Sequence, residues 1–180
     1  MLIQGGPIDI FGVGARLTSS QSDPVFGAVY KIAGVEKNGV WEPRIKISES
    51  VEKITNPGFK KVYRVYNEKG RAIADLLTLL EEVPDTTEPY RYIDPEQPWR
   101  ELYFENCTFK EMKQLIIKDG KLLVELPTLD ELRQYVKDQL ETEIWPEEQR
   151  FENPHRHYLD MSPGYYQMKM DLLNRIFRKK

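Results

Sequence analysis

The chain has 180 residues, 40% of them hydrophobic, with a net charge of −3 and one cysteine, Cys107. That length supports one ordinary core or two small ones. No apolar run approaches membrane-spanning length, the N-terminus lacks the basic and apolar regions of a secretory signal, and the acidic balance argues against a dedicated nucleic-acid binder. A lone cysteine forms no internal disulfide and no multi-cysteine metal site, so a reducing, cytoplasmic setting is expected.

The chain opens on "IDIFGVGARL" (8–17), an apolar run that reads as a buried strand ending in Gly12 and Gly14. Glycines at a strand exit let backbone N–H groups face open space, where an anion approaches closely; the alternative is a tight strand exit and nothing more. The P-loop pattern fails because Ala15 and Arg16 follow Gly14. The dinucleotide pattern fails because Leu17 stands where its third glycine belongs.

"FGAVYKIAGVE" (26–36) is rich in strand formers, and Asn38-Gly39 signals a hairpin. "VWEPRIKIS" (40–48) reads as the return strand. Its alternation puts Arg44 and Lys46 on one face and Ile45 and Ile47 on the other. "NPG" (56–58) is a turn. "KKVYRVYN" and "RAIADLLTL" form a second hairpin across "NEKG". Residues 81–100 are acidic, proline-rich and aperiodic, and read as a loop. A third hairpin turns at Asp119-Gly120.

Thr128-Leu-Asp-Glu131 is a capping box opening a helix with apolar positions Leu132, Tyr135, Val136 and Leu140. "PEEQRFENPHRHYLDM" reads as irregular. Ser162-Pro163 then caps a last helix running through Met168, Leu172, Leu173 and Ile176 to a basic end. Strand, antiparallel hairpins and terminal helices make the fold class α+β.

Charge is distributed unevenly. Lys31, Lys37, Arg44, Lys46, Lys53, Lys60, Lys61 and Arg64 make the first third basic, and acids dominate residues 75–105. This pattern fits a local anion site, or a solvated basic face. His155 and His157 read as surface histidines in an irregular tail, and Asp75 as a structural residue in a strand.

The stretches Gly12–Leu17, Pro24–Ile32 and Pro43–Gly58 resemble, in order, three motifs from the C-terminal part of the nicotinate phosphoribosyltransferase family. These run Gly-Val-Gly-Thr-Arg-Leu, Pro-x-x-Gly-Gly-Val-Tyr-Lys-Leu and Pro-Arg-Ile-Lys-Leu-Ser-Glu-x-x-Glu-Lys-x-Thr-x-Pro-Gly. "LPTLDELR" and "NPHRHYLDMS" are similar to the family's closing helix and tail.

The resemblance implies three parts: residues 1–24 as the end of an incomplete α/β barrel, 25–126 as an antiparallel β module, and 127–180 as a helical segment. Most of the barrel would precede Met1. With it would lie the catalytic histidine and the nicotinate- and ribose-binding groups, so no catalytic residue is expected here and the chain alone is expected to be inactive.

The glycine turn would cradle a phosphate through Gly12, Gly14, Ala15 and Arg16. Ala15 replaces the family threonine and forfeits one hydroxyl donor, roughly 1 kcal/mol; Ala28 replaces a glycine. Lys31, Lys46 and Lys53, with Arg44, would face pyrophosphate or ATP and converge on one anion. The whole enzyme would join nicotinate to phosphoribosyl pyrophosphate with ATP and Mg²⁺, as a cytoplasmic homodimer of NAD biosynthesis. The alternative is a non-catalytic truncated module that binds polyanions or a partner protein.

Overall fold

The structure is a computed structural model that describes residues 12, 14, 30–50, 53–150 and 152–178. The chain divides into two compact units, residues 1–31 and 32–180. The strand expected over residues 8–13 and the β-rich stretch 26–29 lie outside the described residues, apart from Gly12. All the regular elements below belong to the second unit, which is α+β.

Local backbone chemistry sets the hairpins. β1 (Gly34–Lys37) and β2 (Val40–Pro43) pair antiparallel across Asn38 and Gly39, at φ 51° and 78°. Two successive positive φ values match the right-handed twist of the flanking strands, and asparagine and glycine tolerate them best. The return strand is shorter than the expected 40–48. The N–H of Arg44 still reaches the carbonyl of Ala33 (2.8 Å), but Lys46 instead exchanges bonds with Thr55. The alternation expected over 44–47 is therefore not that of a paired strand.

β3 (Lys60–Tyr66) and β4 (Ala72–Leu79) form the second hairpin. The Asn67 side chain accepts from the N–H groups of Lys69 and Arg71, both at 3.0 Å, and fixes the turn. Two expectations are corrected nearby. The loop over 81–100 contains β5 (Tyr90–Tyr92), which pairs with β6 (Leu102–Phe104). The irregular tail ends in β10 (Leu159–Met161), parallel to β4. A three-residue strand is too short for alternation to register, and both owe their place to partners elsewhere in the chain.

β7 (Thr108–Glu111) completes a four-stranded sheet of order β10-β4-β3-β7. One face carries Tyr63, Val65, Ala74 and Leu76, packed with Phe104; Tyr92 stacks on Phe104 at 3.9 Å between ring centres. On the other face Leu77 and Met161 meet Tyr165 of α2 (Pro163–Phe177). Ser162 caps that helix, its side chain accepting from the Tyr165 N–H as expected. The fully buried Tyr165 donates its hydroxyl to the carbonyl of Pro57 (2.7 Å). This pins the helix to the Asn56-Pro57-Gly58 turn, where Gly58 sits at φ 81°.

Between β7 and β10 in the chain comes an exposed segment. β8 (Ile117–Lys118) and β9 (Lys121–Leu122) turn at Asp119 and Gly120, at φ 51° and 74°. α1 (Leu129–Asp138) opens on the expected Thr128–Glu131 capping box and runs into a π-helical turn, Gln139–Glu143. No residue of α1 is buried.

Candidate functional site

Gly12 and Gly14 both lie outside regular secondary structure. A Cβ built on either would meet no atom within 4 Å, so the folded chain does not itself exclude a side chain there. Ala15 and Arg16 lie outside the described residues. Lys31 is exposed in the first unit.

In the second unit, Lys46 and Lys53 are exposed on one loop. The Lys46 N–H donates to Thr55 Oγ1 (2.9 Å), and the Lys53 N–H to the Ser50 carbonyl (3.0 Å). Arg44 is half-buried and paired with Glu42, which also lies 3.9 Å from Lys37. The guanidinium is thus already neutralised, whereas the described structure gives the side chains of Lys46 and Lys53 no ion pair.

The largest assembly of charge was not foreseen. It forms where the β3–β4 register sets Arg64 opposite Asp75. Arg64 Nε and Nη2 donate to the two Asp75 oxygens at 3.0 and 3.3 Å, a bidentate pair. Glu143, on the π-helical turn, lies 3.5 Å from Arg64 Nη1 and accepts from the Tyr66 hydroxyl at 2.8 Å. Burial and Glu143 push that phenol up to about 12.

His157 closes the network, so it is no surface residue; His155 is exposed. His157 Nδ1 lies 2.9 Å from Glu148, and Nε2 3.5 Å from Asp75 Oδ1, an electrostatic contact without hydrogen-bond alignment. The Asp75 carboxylate, and to a lesser degree Glu148, hold the imidazolium above its ordinary pKa against burial. Burial pushes Asp75 up, but His157 and Arg64 outweigh it and hold the carboxyl below its usual range. These groups pair their charges in a clasp, with His157 Nε2 left without a hydrogen bond, and leave little charge for a ligand. Asp75 stands in the paired strand β4, where the sequence reading put it.

Beside the clasp, a cleft of about 420 Å³ runs between β10 and α2. Lys169 lines it, donating to Asn56 Oδ1 (2.8 Å), and burial lowers its pKa. Asp160, 4% exposed, borders this cleft and a second of about 530 Å³ under the β5–β6 ribbon. Burial, reinforced by Asp94, raises its carboxyl to about 7. Burial also raises the Cys107 thiol, which donates to the Glu105 carbonyl, so it is a poor nucleophile. Among the described residues, no group of three or more His, Cys, Asp or Glu is arranged to hold a metal ion.

Comparison with known proteins decides the family. Residues 59–169 match the model of the nicotinate phosphoribosyltransferase C-terminal domain. The chain belongs to the nicotinate phosphoribosyltransferase family. It is 32% identical over 174 residues to nicotinate phosphoribosyltransferase of Bacillus subtilis, covering 96% of this chain and 35% of that protein. The Caenorhabditis elegans nicotinate phosphoribosyltransferase is 34% identical over 164 residues, covering 89% and 28%.

In fold, the chain matches the crystal structure of human nicotinic acid phosphoribosyltransferase with a TM-score of 0.63. That likeness holds at 22% identity over 74% of this chain and 26% of the human one. The chain therefore spans about a quarter to a third of the length of most of these curated nicotinate phosphoribosyltransferase relatives. The family match takes in the whole Arg64–Asp75–His157 clasp. No helix among the described residues is long and apolar enough to cross a membrane.

Proposed function

We propose that the chain is the C-terminal part of a cytoplasmic enzyme of NAD biosynthesis. That enzyme joins nicotinate to phosphoribosyl pyrophosphate, with ATP hydrolysis assisting, to give nicotinate mononucleotide and pyrophosphate. The observation that supports this reading is the match to the Bacillus subtilis nicotinate phosphoribosyltransferase, which runs along 96% of the chain. In this reading the backbone at Gly12, Gly14, Ala15 and Arg16 holds a phosphate, and Lys31, Lys46 and Lys53 supply positive charge toward pyrophosphate or ATP. Flexible ammonium groups act there as point charges on a polyphosphate. Arg44 contributes less, because Glu42 already occupies it.

Mg²⁺ is implied for the reaction, and in this reading the chain's share is cationic and backbone in character. The displacement itself requires groups beyond those described here. The test is a fusion in which this chain replaces the matching C-terminal third of the Bacillus subtilis relative. Nicotinate mononucleotide formation is then measured in the fusion, in its Lys46→Ala variant and in the chain alone. Turnover by the fusion, none by the chain, and a raised KM for phosphoribosyl pyrophosphate or ATP in the variant are expected. A fusion without turnover overturns the proposal, and a variant with unchanged kinetics removes Lys46 from it.

A further inference from the structure

Asp160 is only 4% exposed, yet among the described residues its carboxyl accepts no hydrogen bond and forms no ion pair. The fold decides where that carboxyl points. Met161 packs with Leu77 and Tyr165 on the α2 face of the sheet. Neighbouring residues of a strand face opposite ways, so Asp160 faces the other side, with its register partner Leu76 and with Phe104. That side holds the cleft of about 530 Å³ under the β5–β6 ribbon, which Asp160 and Phe104 both line.

A second carboxylate joins it. Ile93 and Met161 exchange backbone hydrogen bonds at 2.8 and 2.9 Å in an antiparallel bridge, which sets Asp94 across from Asp160. Like charges so placed destabilise one another, and Asp94 reinforces burial in raising the Asp160 carboxyl. Glu105 adds a third acid to the lining, and the cation among the lining residues, Arg100, turns instead to Gln97 Oε1 at 3.4 Å. Tyr92, Leu102 and Phe104 supply an aromatic and apolar wall. A hard metal ion needs six or more oxygen ligands, and the three acids are not gathered around one point. A cleft of this size and lining suits a small organic molecule.

We propose that this cleft binds a small organic cation of the amidinium or guanidinium type, carried on an aromatic or apolar body. Such an occupant supplies the two things the buried carboxyl lacks, a donor and an opposite charge. Its planar head offers several N–H groups, so it reaches carboxylates on two neighbouring segments at once, Asp160 and Asp94. A quaternary ammonium has no N–H for Asp160 to accept. The body lies against Tyr92, Leu102 and Phe104. None of the residues given a role toward phosphate or ATP in the proposed function takes part, so the two readings stand or fall separately.

The probe is benzamidine, titrated into the full chain at pH 8, where the Asp160 carboxyl is ionised, and read by amide NMR shifts. Saturating shifts at Tyr92, Asp94 and Asp160 are expected. Neutral benzamide, of nearly the same shape, is expected to bind at least about tenfold more weakly, and so is benzamidine to Asp160→Asn, which loses a charge-assisted hydrogen bond. That variant removes an uncompensated buried charge and so keeps the fold, which circular dichroism checks. Asp94→Asn, which leaves Asp160 in place, is expected to weaken benzamidine about threefold. No saturation up to about 10 mM benzamidine, equal binding of benzamide, unchanged affinity in either variant, or the same shifts with calcium chloride alone would each overturn the proposal.

Discussion

Asp75→Asn isolates what the clasp is worth. The substitution keeps the side-chain shape and one acceptor oxygen, and removes the charge that Arg64 meets at 3.0 and 3.3 Å and His157 at 3.5 Å. Removing one partner of a buried ion pair costs about 3–5 kcal/mol, and an exposed pair is worth about 0–1 kcal/mol. The Arg64 and Asp75 side chains are 21% and 19% exposed, and Glu143 remains 3.5 Å from Arg64, so the cost falls between these limits, at about 2 kcal/mol. For a chain of this size that lowers the melting temperature by about 4–8 °C.

The loss should depend on pH. The folded pKa of His157 is raised, so its contribution is complete below the unfolded value, about 6.5, and is lost as pH rises through the folded value. Asp75→Asn therefore costs most near pH 6 and less in alkaline buffer, where only the Arg64 share remains. Thermal melts by circular dichroism at both pH values, with an NMR titration of His157, read both effects. A drop of less than about 1 °C at pH 6, or a His157 titration unmoved by the substitution, would refute the coupling.

Three further expectations follow from buried or capped groups. Asp160 holds a raised carboxyl pKa, near 7, so the folded chain keeps a proton that the unfolded chain has released, and stability falls as pH climbs toward 7. Asp160→Asn should thus stabilise the chain at pH 8, by up to about 4 kcal/mol, and change little below pH 4; denaturant midpoints at the two pH values measure it. Tyr165→Phe strands the Pro57 carbonyl and should cost about 1–3 kcal/mol in a urea melt. Thr128→Ala removes the capping box, at about 1 kcal/mol. Since α1 buries nothing within the chain, amide exchange at the start of α1 should quicken about fivefold while the global melting temperature stays put.

What the sequence made legible was local. Asn38-Gly39 and Asp119-Gly120 announce their hairpins because two positive φ angles are a property of two adjacent residues. Thr128 and Ser162 announce their helices because a cap reaches only three residues ahead. β10 and the clasp lie beyond that reach. The Asp160 strand pairs with residues more than 80 positions earlier, and His157 finds Asp75 across the same gap. The acids that complete the network, Glu143 and Glu148, come from a π-helical turn and from a stretch that reads as irregular.

One signal was nonetheless available. Folding "KKVYRVYN" onto "RAIADLLTL" around "NEKG" brings Arg64 within two residues of Asp75, and the register shift at Val65 and Tyr66 sets them opposite, where opposite charges pair across a hairpin. Helical periodicity is blind in a different way. Spacing shows that Leu132, Val136 and Leu140 share a face, but it cannot say what covers that face. Among the described residues the stripe stays exposed, so the same spacing that elsewhere marks an internal core marks here a face that the described chain leaves open.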